Sequence, residues 1–374
     1  MNIVFVTYHT CARADKMARA LIAAGHQVIV LQHLAASENI LYGQQLSSFY
    51  YDQVDLAAKV KMLNIWANVF HVHNEPNWPV SIVCEAADVR IPVIYDCHDL
   101  NSMRTGTAGY GETEAFKRVD AAIFPSIAYL QGATKYHDFH EPSELVYSMC
   151  LKDDRPTIQM PRIDALVYEG HHIAPLDHFA PSNPLYYGYR DYINFSRECS
   201  TRNIPLAMYG TRKEFAPSYR LTGALVTGML PFPEMMKEMT RYRWGFIGHP
   251  DNHPQWQKAM PNKMFEYLTA GIPVIAWNCA EAEMWLEGYD IGVVVKSYEE
   301  LDIVFKDAKL RRRMAKKVAM IRDAGHFDME IQVPKIIKLY ERALANNPKV
   351  ARCTTGEPPN ESSGIQDQQP ARIG

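Results

Sequence analysis

The sequence predicts an α/β protein of two doubly wound domains facing across a cleft, each a parallel sheet covered by helices. Three observations carry that expectation. The chain has 374 residues, more than one ordinary core organises, because single cores stop growing near about 250 to 300 residues. Strand-like and helix-like stretches alternate in both halves, as parallel sheets require of their crossover connections. A polar, proline-containing stretch, KDDRPTIQMPR at 152–162, breaks the alternation and reads as a linker.

The first half opens on the β-branched and aromatic run Asn2 to Thr7, followed by a polar turn and the helix-compatible stretch Ala14 to Ala24, which Gly25 ends. A second strand follows at His26 to Gln32. Further strands are expected at Val69 to His73, Pro92 to Asp96 and Ala121 to Pro125, with helices at Val80 to Ala87 and Glu112 to Arg118. The second half starts with the strand ALVYEG at Ala165 and continues with a helix over Asp191 to Thr201, a strand over Leu206 to Tyr209 and a helix after Pro231. Then come the strand Trp244 to Ile247, the helix Asn262 to Ala270, and the strands Pro273 to Trp277 and Ile291 to Val295. Helical periodicity resumes from Leu301 to about Ala345, and the small, polar, aperiodic remainder reads as a disordered tail. The domains are therefore expected at 1–155 and 163–325, with a last helix over 326–345 returning to the first domain and a tail over 346–374.

Composition excludes several classes. Hydrophobic residues at 47% and charged residues at 22% suit packed cores rather than global disorder. A formal net charge of -3 gives no basic field for stable nucleic-acid binding, and allows at most a peripheral membrane contact. The seven cysteines are scattered without a C-x-x-C pair, which reads as reduced cytoplasmic thiols. The N-terminus lacks the charged and apolar regions of a signal peptide, and no apolar run reaches the roughly 18 to 20 residues of a membrane span. The basic run KLRRRMAKK at 309–317 reads as a solvated helix face.

The segment PNKMFEYLTAGIP, from Pro261 to Pro273, carries the chemistry. Pro261 suits a helix start, Gly271 ends the helix, and the strand PVIAW follows at once. Such a helix presents its N-terminus, with free N–H groups and partial positive charge, at the carboxyl ends of the strands, where α/β folds bind ligands. Lys263 and Glu266 lie three apart and share a face, giving a cation for phosphate and a carboxylate able to accept two hydrogen bonds from a ribose diol. The competing reading is an amphipathic surface helix with an i,i+3 ion pair.

PNKMFEYLTAGIPVIAW resembles the signature P-x-K-x-x-E-Y-x-A-x-G-x-P-V-I of the glycosyltransferase family 4 group, with Thr269 at a position favouring alanine. The resemblance extends more loosely over about residues 1 to 340 and implies the GT-B architecture. It also implies a donor site for a nucleotide-diphosphate sugar, retention of configuration and no metal cofactor. In that group Glu266 corresponds to the second glutamate of a Glu-x7-Glu motif, but the first position here is Lys258. Asp251, Asn252 and His253 are weak substitutes for it. Pro261, Asn262, Gly170, Arg190 and His249 are counted with the donor side, although His171 and His172 stand where the group has basic phosphate ligands.

His98 follows the strand PVIYD, and the similar position in the group holds a histidine beside the transferred sugar. His98 and Lys263 are therefore the expected catalytic residues. Tyr8, His9 and Thr10, in the turn after the first strand, and Glu75, Asn77 and Trp78, after the Val69 to His73 strand, are expected at the acceptor side. His71, His73 and Glu75 superficially suggest a metal site, but one extended segment does not easily wrap an ion, so no metal is expected. The chain contains no D-x-D triplet, G-x-S-x-G, Walker-type or G-x-G-x-x-G string. The expected partners are a nucleotide-sugar donor and a hydroxyl acceptor of open class: glycan, lipid-linked sugar, protein, metabolite or modified base. A nucleotide-sugar epimerase and a non-catalytic nucleotide-sugar-binding protein are the alternative readings.

Overall fold

A computed structural model describes residues 1–8, 11–34, 48–73, 76–158, 162–170, 190–251 and 254–346. The tail expected from 346 onward therefore lies outside the described residues apart from Asn346, which ends a helix. Two all-parallel sheets organise the chain. The first has seven strands, β1 (Asn2–Thr7), β2 (Gln27–His33), β3 (Ser48–Tyr51), β4 (Val69–His73), β5 (Val93–Asp96), β6 (Ala121–Phe124) and β7 (Ser143–Leu145), in the order 3-2-1-4-5-6-7. The second has six, β8 (Ile163–Glu169), β9 (Leu206–Tyr209), β10 (Leu225–Thr227), β11 (Tyr242–Gly248), β12 (Val274–Trp277) and β13 (Gly292–Val294), in the order 10-9-8-11-12-13.

Each sheet reverses its strand order beside its first strand, the place where open α/β sheets leave a crevice at their carboxyl edge. Central strands are buried on both faces: Ile3, Val4, Phe5 and Val6 of β1 have no exposed surface. That explains why they read as continuous apolar runs rather than alternating ones. The edge strands β3, β7 and β10 were not legible as strands. At three or four residues each, they are too short to show a period.

The helix Ala12–Ala23 departs from the usual one-sided pattern. Nine consecutive residues, Arg13 through Leu21, are buried, because the helix lies between the first sheet and the second domain. Its charged side chains are consequently paired rather than solvated: Arg13 with Asp96, Lys16 with Glu266, and Arg19 with Asp15 and Asp154.

The helix Val333–Asn346 packs back onto the first domain through Ile336, Leu339, Tyr340 and Ala343. Its Tyr340 hydroxyl meets His71 Nδ1 at 2.5 Å, and Arg342 Nη2 donates to Glu144 Oε1 at 2.9 Å. Across the cleft, Tyr147 hydroxyl donates to Glu281 at 2.8 Å and the Ile127 N–H donates to the other oxygen of Glu281 at 2.8 Å. These bonds fix the two sheets in one relative position.

Candidate active site

The loop before β12 arises from the helix Asn262–Thr269, which Pro261 caps in extended conformation from just outside the first turn. Gly271, at φ +74°, takes the left-handed position that ends it. The helix is not an amphipathic surface helix, because every residue from Met264 to Thr269 is buried. Its N-terminus opens on a cavity of about 510 Å³ between the domains. Cys11, Arg13, His98 and Asp99 line this cavity from the first domain, and Glu169, Arg190, Asn262, Lys263 and Glu266 line it from the second.

Lys263 sits beneath the cavity with its Nζ 4.9 Å from the centre of the Tyr168 ring and 5.2 Å from that of Trp256. Two aromatic faces thus hold an ammonium that faces the ligand space. Burial lowers its pKa, but its surroundings, Tyr168 and the ionised Glu266 among them, outweigh that effect and raise it above the ordinary value. Gly170, at φ +120°, lies so close that a Cβ there would stand 3.1 Å from Lys263 Nζ. Only glycine leaves the ammonium its place and also tolerates that backbone.

Glu266 does not pair with Lys263, as spacing alone allowed. Its Oε1 accepts a hydrogen bond from Lys16 Nζ at 2.7 Å across the domain boundary. Burial raises the Glu266 pKa, but Lys16 outweighs it and holds the group below its ordinary value. The neighbouring Glu169 is pushed well above the usual carboxylate range, by burial and then by the Glu266 charge. One carboxylate is therefore ionised and its neighbour protonated. The Glu169 N–H also donates to Tyr267 hydroxyl at 2.8 Å, which pins the end of β8.

On the opposite wall, His98 Nδ1 is 3.5 Å from Cys11 Sγ, its Nε2 is 2.9 Å from His73 Nδ1, and Asp96 Oδ2 lies 3.7 Å away. Burial pulls the imidazole down, yet the Cys11 and Asp96 charges raise its pKa to about 10. Asp96 is held well below the carboxylate range: burial opposes ionisation, and the Arg13 guanidinium, both of whose contacts are 3.0 Å, overcomes it. His71 and His73 do converge, among the described residues with Asp96, and all three are buried. Asp96 in this cluster also holds the Arg13 guanidinium, with both contacts at 3.0 Å.

Pro261, Asn262, Gly170 and Arg190, the residues counted with the donor side, all line the cavity. His249 is not among the lining residues. Its Nε2 donates to Asp191 carbonyl at 2.7 Å and its Nδ1 accepts from the Asp251 N–H at 3.0 Å, so it ties two loops together. Lys258 is likewise a strut: its Nζ donates to Met103 carbonyl at 2.9 Å, and its own carbonyl accepts from Ser126 hydroxyl at 2.8 Å. Tyr8, Asn77 and Trp78 gather farther along the carboxyl edge of the first sheet, where Tyr8 stacks on His33 at 4.2 Å and meets Trp78 edge-on at 6.2 Å. Asn77 accepts from Tyr95 hydroxyl at 2.6 Å. His9, Thr10, Glu75, His171, His172, Asn252 and His253 lie outside the described residues.

Sequence reasoning missed Cys11, Arg13, Lys16, Asp96 and Glu169. The charges of the first helix carried a signal, since Arg13, Lys16 and Arg19 fall three apart among apolar residues, an arrangement that demands buried partners.

Two parallel α/β domains facing across a cleft, with a half-buried lysine and a buried glutamate on a short helix opposite a histidine, form a GT-B architecture. Residues 185–327 match the family model described as glucosyltransferase 3-like, C-terminal domain. Among solved structures, a sucrose-phosphate synthase from Thermosynechococcus elongatus superposes with a TM-score of 0.65 at 13% identity, covering 92% of this chain and 99% of its own. An alpha-glucosyltransferase in complex with UDP-glucose and DNA gives 0.66 at 11%, covering 91% and 99%. Anabaena HepE in complex with UDP gives 0.59 at 12%, covering 96% and 100%. No curated protein matches the sequence. The fold is GT-B, and the second domain is of the glycosyltransferase kind. Among the described residues, no helix is long and apolar enough to cross a membrane.

Proposed function

We propose that the chain is a retaining, metal-independent glycosyltransferase that moves a sugar from a nucleoside-diphosphate donor to an acceptor hydroxyl. The observation that carries this reading is the convergence of Lys263, Glu266 and the N-terminus of the helix Asn262–Thr269 on one cavity wall, with His98 on the facing wall. Lys263 and the helix N–H groups match the charge of a diphosphate, both before and after it leaves. Glu266 offers an ionised carboxylate to the ribose diol. The last two structures named above hold UDP-glucose and UDP, which favours a uridine donor for the first trials.

His98, charged through its contacts with Cys11 and Asp96, stabilises negative charge gathering on the donor as the bond to the anomeric carbon breaks. The departing phosphate accepts the proton of the acceptor hydroxyl on the same face. The aromatic group of Tyr8, His33 and Trp78 suits a polyol acceptor, whose apolar ring faces stack on such side chains. Metal independence draws support from the lack of a D-x-D triplet in the sequence and from the cationic wall that takes over charge neutralisation. A cytoplasmic location fits cysteines of which none of the six described forms a disulfide.

The deciding experiment is calorimetry and thermal shift with UDP-, GDP- and ADP-sugars, in chelator, followed by a hydrolysis assay on any donor that binds. Binding with slow donor hydrolysis supports the transferase. Conversion of the donor to an epimer without acceptor favours an epimerase, and binding without any turnover favours a non-catalytic sugar-nucleotide protein. If no nucleotide sugar raises the melting temperature, the donor reading is wrong.

A further inference from the structure

The cleft carries a nucleophile that sugar transfer does not use. Four of the six described cysteines, Cys97, Cys150, Cys199 and Cys279, are buried. Burial pushes the Cys150 and Cys279 thiols up to about 12 and the Cys97 thiol well above its ordinary value, so these sulfurs are inert. Cys11 and Cys84 are partly exposed, and only Cys11 lines the interdomain cavity.

Cys11 combines three features that favour a thiolate. It caps the twelve-residue helix Ala12–Ala23, and its Sγ accepts the Ala14 N–H at 3.5 Å, so the positive end of that helix faces the sulfur. His98 Nδ1 approaches it at 3.5 Å. Behind the imidazole stands Asp96, 3.7 Å from Nε2 and itself fixed by Arg13. The set is a cysteine, a histidine and a buried carboxylate, with His73 Nδ1 the 2.9 Å partner of His98 Nε2, and the carboxylate charge favours an imidazolium beside a thiolate. Burial raises the Cys11 pKa, but the charge and hydrogen bond of His98 more than reverse it.

We propose that Cys11 is a modification site for hydroperoxides, placed so that its oxidation closes the transfer cleft. The thiolate sulfur attacks one peroxide oxygen; the S–O bond forms as the O–O bond breaks, and the electron pair leaves on the other oxygen as hydroxide or alkoxide, which takes a proton from water. Sulfur is oxidised by two electrons to the sulfenic acid and the peroxide is reduced by two. A low-molecular-weight thiol then displaces the sulfenic oxygen as water to give a mixed disulfide, and a second thiol releases Cys11. Oxidation removes the anion that supports the His98 charge and adds bulk inside the cavity that Lys263 lines from the other domain.

The proposal is tested on the full-length protein with hydrogen peroxide in the presence of dimedone, reading each cysteine by peptide mass spectrometry. Cys11 should label at least about tenfold faster than Cys84, the other partly exposed thiol, because the thiolate is the attacking form. That ratio comes from the unaltered protein and needs no variant. His98→Gln, checked for native circular dichroism, should bring Cys11 labelling down to about the rate of Cys84. Equal labelling of Cys11 and Cys84 in the unaltered protein overturns the proposal, and so does an unchanged Cys11 rate in a folded His98→Gln variant. Because labelling is measured and not turnover, failure here leaves the donor reading standing, and failure to bind a nucleotide sugar leaves this site standing.

Discussion

The ammonium of Lys16, on the first helix of the N-terminal domain, lies 2.7 Å from Oε1 of Glu266 in the donor helix of the C-terminal domain. Both side chains are nearly sealed from solvent, at 1% and 7% exposure. The pair therefore joins the domains through the residue expected to hold the ribose. Removing one partner leaves a buried charge alone, which costs roughly 3 to 5 kcal/mol. Lys16→Met and Glu266→Gln should each lower the melting temperature, and their double variant should lose less than the sum. Only Glu266→Gln should also remove the ribose contact, so donor affinity separates the two roles. This replaces the competing reading of a surface helix in which Glu266 pairs with Lys263. Wild-type melting of either single variant would refute the pairing.

Lys263 lies in the same wall but contributes differently, because its neighbours are aromatic faces rather than a carboxylate in contact. Lys263→Met keeps the stem against Tyr168 and Trp256 and removes only the charge. Catalytic efficiency should fall by roughly 10²-fold or more, as for the loss of one preorganised charge at a leaving group, with melting close to wild type. A normal kcat/KM in this variant assigns the diphosphate to other groups, Arg190 first.

Glu169 is protonated beside ionised Glu266, so an amide of the same shape should replace it with little effect. Glu169→Gln keeps a donor toward Glu266 and should change stability by about 0.5 kcal/mol or less, the low end of one net hydrogen bond. The same change at Glu266 is expected to be severe, and this asymmetry is the test. Chemical denaturation of both variants reads it directly, and equal losses would contradict the assigned protonation states.

Much of the architecture was legible because parallel strands buried on both faces read as unbroken apolar runs, as in Asn2 to Thr7 and Val274 to Trp277. The donor helix was legible for a local reason: proline before it, glycine after it and a strand at once. What stayed hidden was set by contacts distant in sequence. Lys16 meets Glu266 across 250 positions and Arg13 meets Asp96 across 83, so no window of spacing contains either pair. His249 shows the converse failure: a histidine at the end of β11 looked like a ligand group, but its two ring nitrogens are taken up by the backbone of Asp191 and Asp251. The short edge strands escaped for want of length.

His98 supplies a prediction in pH. Burial lowers its pKa and the Cys11 and Asp96 charges raise it to about 10, against an ordinary value of 6.5. A histidine whose folded-state pKa is raised contributes its stabilisation in full below the unfolded value and loses it as pH climbs through the folded one. The difference in unfolding free energy between wild type and His98→Gln should therefore be largest near pH 6 and shrink toward about pH 10. Turnover should follow the same group: if the imidazolium stabilises the leaving diphosphate, kcat/KM stays level through neutrality and falls on an alkaline limb centred near the His98 pKa. His98→Gln should lower the plateau by roughly 10²-fold and abolish that limb. An alkaline limb that survives unchanged in the variant belongs to another group, and a limb centred near the ordinary histidine value would mean that Cys11 and Asp96 do not hold His98 charged.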